Sequence, residues 1–180
     1  MIPWMVAASL ALLTQVVDLN GHAVDPLKAG PGVVANVLVF TTTDCPISNR
    51  YAPEITRLAD AFRGRGVRFS LVYPVPTDSV ALIKQHLSAF AYRLPAVRDT
   101  GQELVKLTGV SVTPEVAVLD ARGRLVYRGR IDDRWVDFGR DRPAPTTHDL
   151  EDALDAVAGG RPVAVTETRA VGCFLSDLLK

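Results

Sequence analysis

Apolar and polar residues follow one another along this chain in blocks that predict strands and helices in turn. Residues 33–42 form a continuous, largely β-branched apolar run, which is typical of a strand buried in the middle of a sheet. From Pro46 the apolar positions recur at helical spacing until Gly64 and Gly66 end the segment. Pro46 suits the first helical turn, whereas Pro53 is expected to kink the helix interior. The apolar face consists of Ile47, Tyr51, Ile55, Leu58, Ala59 and Phe62.

The same pattern continues towards the C-terminus. Residues 67–73 predict a second core strand, and helices are predicted over 80–94 and 102–107. Residues 115–131 predict an antiparallel hairpin around the turn ARGR, and residues 16–24 predict another hairpin around Asn20-Gly21. Residues 132–145 are polar and are expected to be irregular. A last helix is predicted to start within residues 146–149 and to end at Gly159-Gly160.

This order of elements predicts an α/β fold. Strands joined by helices imply parallel neighbours and the late hairpin adds antiparallel ones, so we expect a mixed central sheet with helices on both faces. The chain then divides into an N-terminal apolar segment (residues 1–14), one domain (residues 15–158) and a C-terminal tail (residues 159–180). The stretch PVAVTET is the β-like part of that tail.

The N-terminal segment bears on the compartment. Residues 1–13 are almost wholly apolar but too few to span a bilayer as a helix, which takes about 20 residues. Their length fits the apolar region of a signal peptide, although a basic start and a clear cleavage site are missing. An export signal is favoured over a packed N-terminal helix, so we expect a periplasmic or other extracytoplasmic protein, or a cytoplasmic one if the segment is no signal.

Charge and cysteine content exclude several classes of function. The 20 acidic and 20 basic residues balance, so no bulk field attracts nucleic acid or anionic lipid. Cys45 and Cys173 lie 128 positions apart and are the only cysteines, too few for a disulfide scaffold or a paired CxxC zinc site. We expect neither a metal nor a cofactor. Cys173 suits a buried apolar role and a functional role about equally.

Cys45 lies where the buried strand passes into the helix that begins at Pro46. The partial positive charge and the free N–H groups of a helix start stabilise a thiolate, so this position is expected to lower the pKa of Cys45, while Asp44 opposes the shift. Ser48, one helical turn further on, can donate a hydrogen bond to the sulfur but cannot resolve a mixed disulfide. A reactive sulfur is therefore favoured over one that only packs under the sheet.

Thr113-Pro114 lies directly before a predicted strand. Proline is tolerated at a strand entrance, and a peptide bond before proline can be cis. Physical chemistry alone leaves a cis bond and an ordinary trans turn equally open at this pair.

Two stretches carry a resemblance to a known superfamily. CPISNRYAP, with a cysteine at the helix start and a proline eight residues later, resembles the active-site helix of the thioredoxin superfamily, where CxxC is followed by four residues and proline. The resemblance aligns Cys45 with the first cysteine, Ser48 with the second and Pro53 with the helix kink. GVSVTPEVAVLDARGRLVYRG resembles the cis-proline loop and hairpin, which implies that Thr113-Pro114 is the cis pair. The resemblance covers residues 15–158 and implies a thioredoxin-like fold.

Within that superfamily the chain is most similar to the redoxin group of the alkyl hydroperoxide reductase/thiol-specific antioxidant (AhpC/TSA) type. Thr42 stands three residues before Cys45, as in the peroxiredoxin pattern PxxxTxxC, but Leu38 replaces its proline. Thr113 and the cis-proline loop stand where peroxiredoxins have an arginine. These departures argue against efficient peroxide reduction. Segments from DCPISNRYAPE to AVGCF also resemble bacterial redoxin-domain proteins, which implies a redox class but no particular substrate.

Charged residues after the hairpin are secondary candidates. Arg130, Asp132, Asp133 and Arg134 follow the last predicted strand, which in a thioredoxin-like fold approaches the cis-proline loop. Arg130 would then supply a positive charge near Cys45. A solvated charged loop is the favoured interpretation.

His148 is a further, less favoured candidate. It lies in the first turn of the last predicted helix, where it is expected to be exposed. Together with Cys45 and Cys173 it would suit the soft ion Cu(I), although no methionine or further nearby cysteine supports this interpretation.

The sequence predicts a thiol-based oxidoreductase in which Cys45 attacks a disulfide or a peroxide. Its partners would be a protein or small-molecule substrate and a thiol reductant, with no nucleic acid and no stable membrane span. Cys173 is the one intramolecular sulfur that could resolve an adduct on Cys45; otherwise an external thiol must do so. The alternative from a different class is a non-catalytic binding module of the same fold, with Cu(I) as cargo.

Overall fold

The computed structural model describes residues 16–178, with the backbone alone for residues 177–178. The first half contains β1 (Val16–Asp18), β2 (Ala23–Val24), β3 (Ala35–Phe40), α1 (Pro46–Arg50), α2 (Ala52–Arg63), β4 (Val67–Tyr73), α3 (Val80–Ala89) and β5 (Ala96–Arg98). The second half contains α4 (Glu103–Thr108), β6 (Val112–Thr113), β7 (Glu115–Asp120), β8 (Leu125–Gly129), β9 (Trp135–Asp137), β10 (Arg140–Asp141), α5 (Asp149–Ala158), β11 (Cys173–Phe174) and α6 (Leu175–Leu178). The predicted N-terminal signal segment, residues 1–14, lies outside the described residues.

A seven-stranded mixed sheet in the order β2-β1-β5-β4-β3-β7-β8 forms the centre of the molecule. Strand β3 pairs in parallel with β4 and antiparallel with β7, so the strand that precedes Cys45 lies inside the sheet with a neighbour on each side. Its six residues are all buried, as the unbroken apolar run predicts.

Side chains of β3 alternate between two hydrophobic clusters on opposite faces of the sheet. Val37 and Val39 belong to the larger cluster, to which α1, α2, α3 and α5 contribute. Leu38 and Phe40 belong to the smaller cluster, which includes buried residues of α4 and α6. Helices therefore cover both faces, and the predicted α/β sheet is confirmed.

The helix after Cys45 is interrupted, as Pro53 predicts. Tyr51 separates α1 from α2, and its hydroxyl donates a 2.5 Å hydrogen bond to Asp132 of the loop after β8. Because proline lacks an N–H group and clashes with the preceding turn, α2 starts afresh around Pro53. The hydrogen bond from Tyr51 ties this break to the loop after β8.

The structure differs from the sequence prediction in its short strands. Ala96–Arg98 forms β5 in the main sheet, and β9 and β10 form a small hairpin within residues 135–141, where irregular structure was expected. Of the stretch PVAVTET, only Glu167 bridges a strand residue, Arg128. None of the helices within residues 16–178 has the length and apolar character needed to cross a membrane.

The C-terminal tail runs back over the sheet after α5. Its backbone exchanges hydrogen bonds with the edge strand β8, from Arg128 N to Thr166 O (2.9 Å) and from Thr168 N to Arg128 O (3.0 Å). A side chain at position 129 would clash with Thr168, so glycine there permits the close crossing. Beyond the edge, β11 pairs antiparallel with β6, and this pairing brings Cys173 against Cys45.

Candidate active site

Cys45 occupies the N-cap position of α1. Its backbone is extended (φ −75°, ψ 111°), Pro46 follows in the first turn, and the carbonyl of Cys45 accepts a hydrogen bond from Asn49 N at 3.0 Å. The side chain is 1% exposed and belongs to the larger hydrophobic cluster. The predicted position at a strand end and a helix start is confirmed, but the sulfur is covered.

The peptide bond between Thr113 and Pro114 is cis, as the resemblance implies. It lies between β6 and β7 and faces the start of α1. The Cys45 thiol donates a hydrogen bond to the carbonyl oxygen of Thr113, with 3.1 Å between sulfur and oxygen. The two segments that the sequence singled out therefore meet in a single site.

Cys173 lies next to Thr113 and also contacts Cys45. Its backbone pairs with Thr113 in the antiparallel register of β11 and β6, and its thiol points at Cys45 with 2.9 Å between the two sulfurs. Cys173 is partly exposed, whereas Cys45 is buried. Both are free thiols in this structure. The fold thus places the two cysteines of the chain in direct contact.

A glycine makes this contact possible. A side chain at Gly172 would overlap the carbonyl of Thr113, and its first carbon would also lie 3.1 Å from Pro114 N. Since real side-chain carbons do not approach backbone this closely, any other residue here would push β11 away from the cis-proline loop. Gly172 therefore sets how near Cys173 comes to Cys45.

The surroundings shift the pKa values of the two thiols in opposite directions. Burial by itself raises the pKa of Cys45, but hydrogen bonds from the Cys173 thiol, the Ser48 hydroxyl and the backbone N–H groups of Ser48 and Cys173 stabilise the thiolate, so the pKa lies below its ordinary value. Burial, the hydrogen bond with Cys45 and the negative charges of Cys45 and Asp44 raise the pKa of Cys173. Cys45 is therefore the sulfur of the pair that loses its proton first.

Three hydroxyls that the sequence assigned to the site are buried. The hydroxyls of Thr42, Ser48 and Thr113 find no hydrogen-bond partner among the residues that the structure describes. Buried polar groups rarely stay unpaired without a reason. Ser48 has such a reason in the neighbouring Cys45. Once the Cys45 sulfur is ionised it accepts hydrogen bonds, and the Ser48 hydroxyl can turn towards it and donate one.

The sequence matches the Redoxin family model over residues 12–140. The chain belongs to the Redoxin family. No curated protein matches the sequence. The family predicted from CPISNRYAP and the hairpin segment is thereby confirmed.

Solved structures similar to this redoxin share its fold. An uncharacterized conserved protein from Geobacillus kaustophilus is 27% identical, with a TM-score of 0.76 over 89% of this chain and 86% of that chain. The hypothetical protein SMc02350 from Sinorhizobium meliloti 1021 is 26% identical, with a TM-score of 0.74 over 89% and 88%. A secreted Mycobacterium tuberculosis disulfide oxidoreductase homologous to E. coli DsbE is 19% identical, with a TM-score of 0.54 over 81% and 94%, and shows the thioredoxin-like fold alone.

Sequence reasoning missed a polar chain that supports the active-site helix of this redoxin. The Asn49 side chain contacts His86 Nε2 at 2.7 Å, and His86 Nδ1 contacts the Tyr73 hydroxyl at 2.8 Å. Burial lowers the pKa of His86, which favours the neutral ring. These two hydrogen bonds connect α1 to α3 and β4. His86 interrupts the apolar face at 83, 87 and 90, and that polar interruption was the signal available in the sequence.

The charged residues after β8 stabilise a loop. Arg130 is paired with Asp149 at the start of α5 (2.8 Å), and Asp133 accepts hydrogen bonds from Thr146 and Thr147. Asp132 accepts from Tyr51 and from Arg134 N. The expected solvated loop is wrong for Asp132 and Asp133, which are buried and hydrogen-bonded. The positive charge of Arg130 is paired with Asp149.

His148 lies away from the two sulfurs. Within residues 16–178, the group of His, Cys, Asp and Glu side chains whose ligand atoms all lie within 4.8 Å of one another consists of Glu54, His148 and Glu151. Arg57 bridges Glu54 and Glu151 in this group. The structure therefore separates His148 from Cys45 and Cys173 and does not form the three-residue Cu(I) site considered from the sequence.

A cleft of about 630 Å³ opens beside β11 of this redoxin. Its walls include Gly172 and Phe174, which flank Cys173, and the β9–β10 hairpin. Val136, Phe138 and Phe174 line it with exposed fractions of 40%, 57% and 51%. Such a cluster of exposed apolar side chains is typical of a surface that binds a polypeptide.

We expect Ser48→Ala to raise the lower of the two thiol pKa values. The substitution removes a hydroxyl that stabilises the Cys45 thiolate and leaves the burial of the sulfur nearly unchanged. A hydrogen bond to a charged group contributes about 1.5–3 kcal/mol, so the shift should be on the order of one to two pH units. Thiolate absorbance in the ultraviolet against pH measures it, with Thr42→Val as a control. An unchanged titration in Ser48→Ala would show that the hydroxyl does not reach the sulfur.

Proposed function

We propose that this redoxin is a thiol-disulfide oxidoreductase whose redox centre is the pair Cys45 and Cys173. The observation that carries the proposal is the 2.9 Å contact between the two sulfurs, held by the pairing of β11 with β6. Both requirements of a dithiol centre are met: a thiolate of lowered pKa and a second sulfur within bonding reach.

In this cycle the pair passes between a dithiol and a disulfide. When the dithiol reduces a substrate disulfide, Cys45 supplies the nucleophilic thiolate that closes the Cys45–Cys173 bond. Two electrons pass to the substrate, whose sulfurs leave as thiols after protonation. An external dithiol reverses these steps and regenerates the pair. Thr113 accepts from the neutral Cys45 thiol, and Ser48 stabilises the thiolate.

A disulfide substrate fits the site better than a peroxide. Peroxide reduction needs a thiolate that the oxidant can reach, together with donors for the departing oxygen, and Cys45 is 1% exposed beneath Cys173. Arg130 is engaged with Asp149, and Leu38 stands where peroxiredoxins carry proline. Disulfide exchange can use the partly exposed Cys173 together with the sulfur-to-sulfur contact inside the pair. No feature of residues 16–178 favours the Cu(I)-carrying module over exchange.

The partner is proposed to be a protein, in an extracytoplasmic compartment. The cleft beside β11, which combines charged side chains with the exposed Val136, Phe138 and Phe174, is suited to a polypeptide chain. The neighbour from Mycobacterium tuberculosis is described as secreted and as a disulfide oxidoreductase, and the apolar residues 1–13 agree with export. Oxidising compartments allow a disulfide between Cys45 and Cys173 to persist between turnovers.

Mild oxidation of the purified monomer is expected to join Cys45 and Cys173. Peptide mapping without reduction would show the two cysteine peptides linked, and alkylation would find no free thiol. Reduced protein should then accelerate the reduction of insulin disulfides by dithiothreitol more than it accelerates the consumption of hydrogen peroxide. Monomers with Cys173 always free, and Cys45 carrying only a sulfenate or an external thiol, would exclude the proposed pair.

A further inference from the structure

The two sulfurs of the pair differ in access to solvent. Cys45 is 1% exposed and lies within the larger hydrophobic cluster, between the carbonyl of Thr113 and the sulfur of Cys173. Cys173 belongs to the tail and is partly exposed. A thiol that arrives from solvent therefore reaches Cys173 first.

The segment that covers Cys45 is anchored on both sides of Cys173. Gly172 is buried against Thr113, and Leu175 is 3% exposed in the smaller hydrophobic cluster. Leu175 N also donates to Ser111 O at 3.0 Å. Exposing Cys45 would require this backbone pairing to break and Leu175 to leave its cluster, so the cover is part of the folded structure.

The direction of attack also favours reaction of an external thiol at Cys173. In thiol-disulfide exchange the attacking sulfur forms its bond as the leaving sulfur departs on the opposite side, so the rate depends on which sulfur is accessible from that direction. With Cys45 joined to Cys173, attack on Cys45 would have to come from the side away from Cys173, where the protein interior lies. Attack on Cys173 comes from the side of the tail that faces solvent.

We propose, on the basis of the proposed Cys45–Cys173 cycle, that external thiols and disulfides exchange at Cys173, and that Cys45 exchanges only with the sulfur of Cys173. The roles are the reverse of those that the resemblance of CPISNRYAP implies. The sulfur at the helix start is the internal one, and the sulfur on the tail makes contact with the partner.

Each step balances. An external thiolate attacks the Cys173 sulfur of the oxidised pair, the Cys45–Cys173 bond breaks, and its electron pair remains on Cys45 as a thiolate. A second external thiol then attacks the partner sulfur of the mixed disulfide, forming an external disulfide, and Cys173 leaves as a thiolate that takes up a proton. In the reducing direction, the Cys173 thiolate attacks one sulfur of the substrate disulfide, forms a mixed disulfide with it and releases the other substrate sulfur as a thiolate. The Cys45 thiolate then attacks Cys173, forms the Cys45–Cys173 bond and releases the second substrate thiolate.

The environment of the pair agrees with these roles. The sulfur with the lower pKa is the better leaving group, and the pKa of Cys45 is lowered while that of Cys173 is raised. When an external thiolate attacks Cys173 of the oxidised pair, the sulfur that leaves, Cys45, is therefore the better leaving group of the two. The hydroxyl of Ser48, which has no other hydrogen-bond partner among the described residues, can donate a hydrogen bond to the thiolate that forms on Cys45.

The test is to find which cysteine carries an external thiol. Oxidised wild-type protein is mixed with limiting reduced glutathione, quenched in acid within seconds, alkylated with N-ethylmaleimide and mapped by mass spectrometry. We expect glutathione on Cys173 and the alkyl group on Cys45, with an excess of about tenfold or more over the reverse arrangement. Glutathione mainly on Cys45 would overturn the inference.

Single-cysteine variants give an independent measurement. Reaction of dithiodipyridine with Cys45→Ser, which retains Cys173, should be about tenfold faster per thiolate than with Cys173→Ser, which retains Cys45. Adding Gly172→Ala to Cys173→Ser, to loosen the cover, should speed the reaction of Cys45. If wild-type protein forms no Cys45–Cys173 disulfide, the proposed function fails. If the disulfide forms but Cys45 is the faster thiol, only the inference about Cys173 fails.

Discussion

Gly172→Ala should leave both thiols in the protein and prevent them from joining. The added methyl group would overlap the carbonyl of Thr113, so β11 must move off β6 and carry Cys173 away from Cys45. A disulfide requires the two α-carbons to lie within about 4.4–6.8 Å, a range that a displaced strand no longer meets. We expect the rate of intramolecular disulfide formation to fall by roughly tenfold or more, because the effective concentration of one thiol near the other is lost.

The measurement is the time course of thiol loss under a mild oxidant, followed by alkylation. Gly64→Ala is the matched control, since a side chain at position 64 meets no atom within 4 Å and its backbone is not left-handed. Circular dichroism should show the same secondary structure in both variants, because the substitution affects a two-residue strand outside the main sheet. Wild-type rates of disulfide formation in Gly172→Ala would show that the close approach at Gly172 is not needed.

Cys45→Ser should reduce turnover of disulfide substrates to the rate of the uncatalysed reaction. Without the Cys45 sulfur no intramolecular disulfide can form, and an adduct on Cys173 has no internal thiol to release it. The fold should persist, since serine is similar in size and its hydroxyl can donate to Thr113 O as the thiol does.

Turnover of insulin disulfides and of hydrogen peroxide measures the loss, and far-ultraviolet circular dichroism checks the fold. Cys173→Ser is the companion variant: it also loses the internal disulfide but keeps the Cys45 sulfur. Continued turnover by Cys45→Ser with either substrate would show that the activity lies outside this pair.

The parts of the fold that the sequence predicted are those set by local pattern. The apolar run at residues 33–42 became β3, and Pro53 placed the helix break at Tyr51. The hairpin around ARGR became β7 and β8, paired antiparallel. Each of these elements has its own hydrophobic period or turn residues, so its formation depends little on distant parts of the chain.

The parts that escaped prediction depend on pairing between distant residues. Strand β5 is three residues long and is specified by its neighbours β4 and β1, so no period of its own marks it. The β-like stretch PVAVTET does reach the sheet edge, where Thr166 and Thr168 bond to Arg128. The strand that pairs at the site, Cys173–Phe174, has no pattern of its own and depends on its partner β6.

The candidate site divides in the same way. Cys45, Ser48 and Thr113-Pro114 were predicted from local motifs, and the structure places them together. The sequence left open whether Cys173 joins them, because a separation of 128 residues says nothing about distance in space. It also implied that Cys45 would be the accessible sulfur, whereas the fold covers Cys45 with the tail.

The tail also covers part of an edge strand of the sheet, β8. Strand β8 ends the strand order on one side, and an uncovered edge of this kind can recruit a strand from another molecule. On this edge the N–H and C=O groups of Arg128 are hydrogen-bonded to Thr166 and Thr168. The Arg128 side chain forms an ion pair with Glu167. The segment that brings the second sulfur to Cys45 thereby also occupies part of the free edge of β8. We expect a mutation that frees the whole tail to expose this edge to other molecules as well as to separate Cys173 from Cys45.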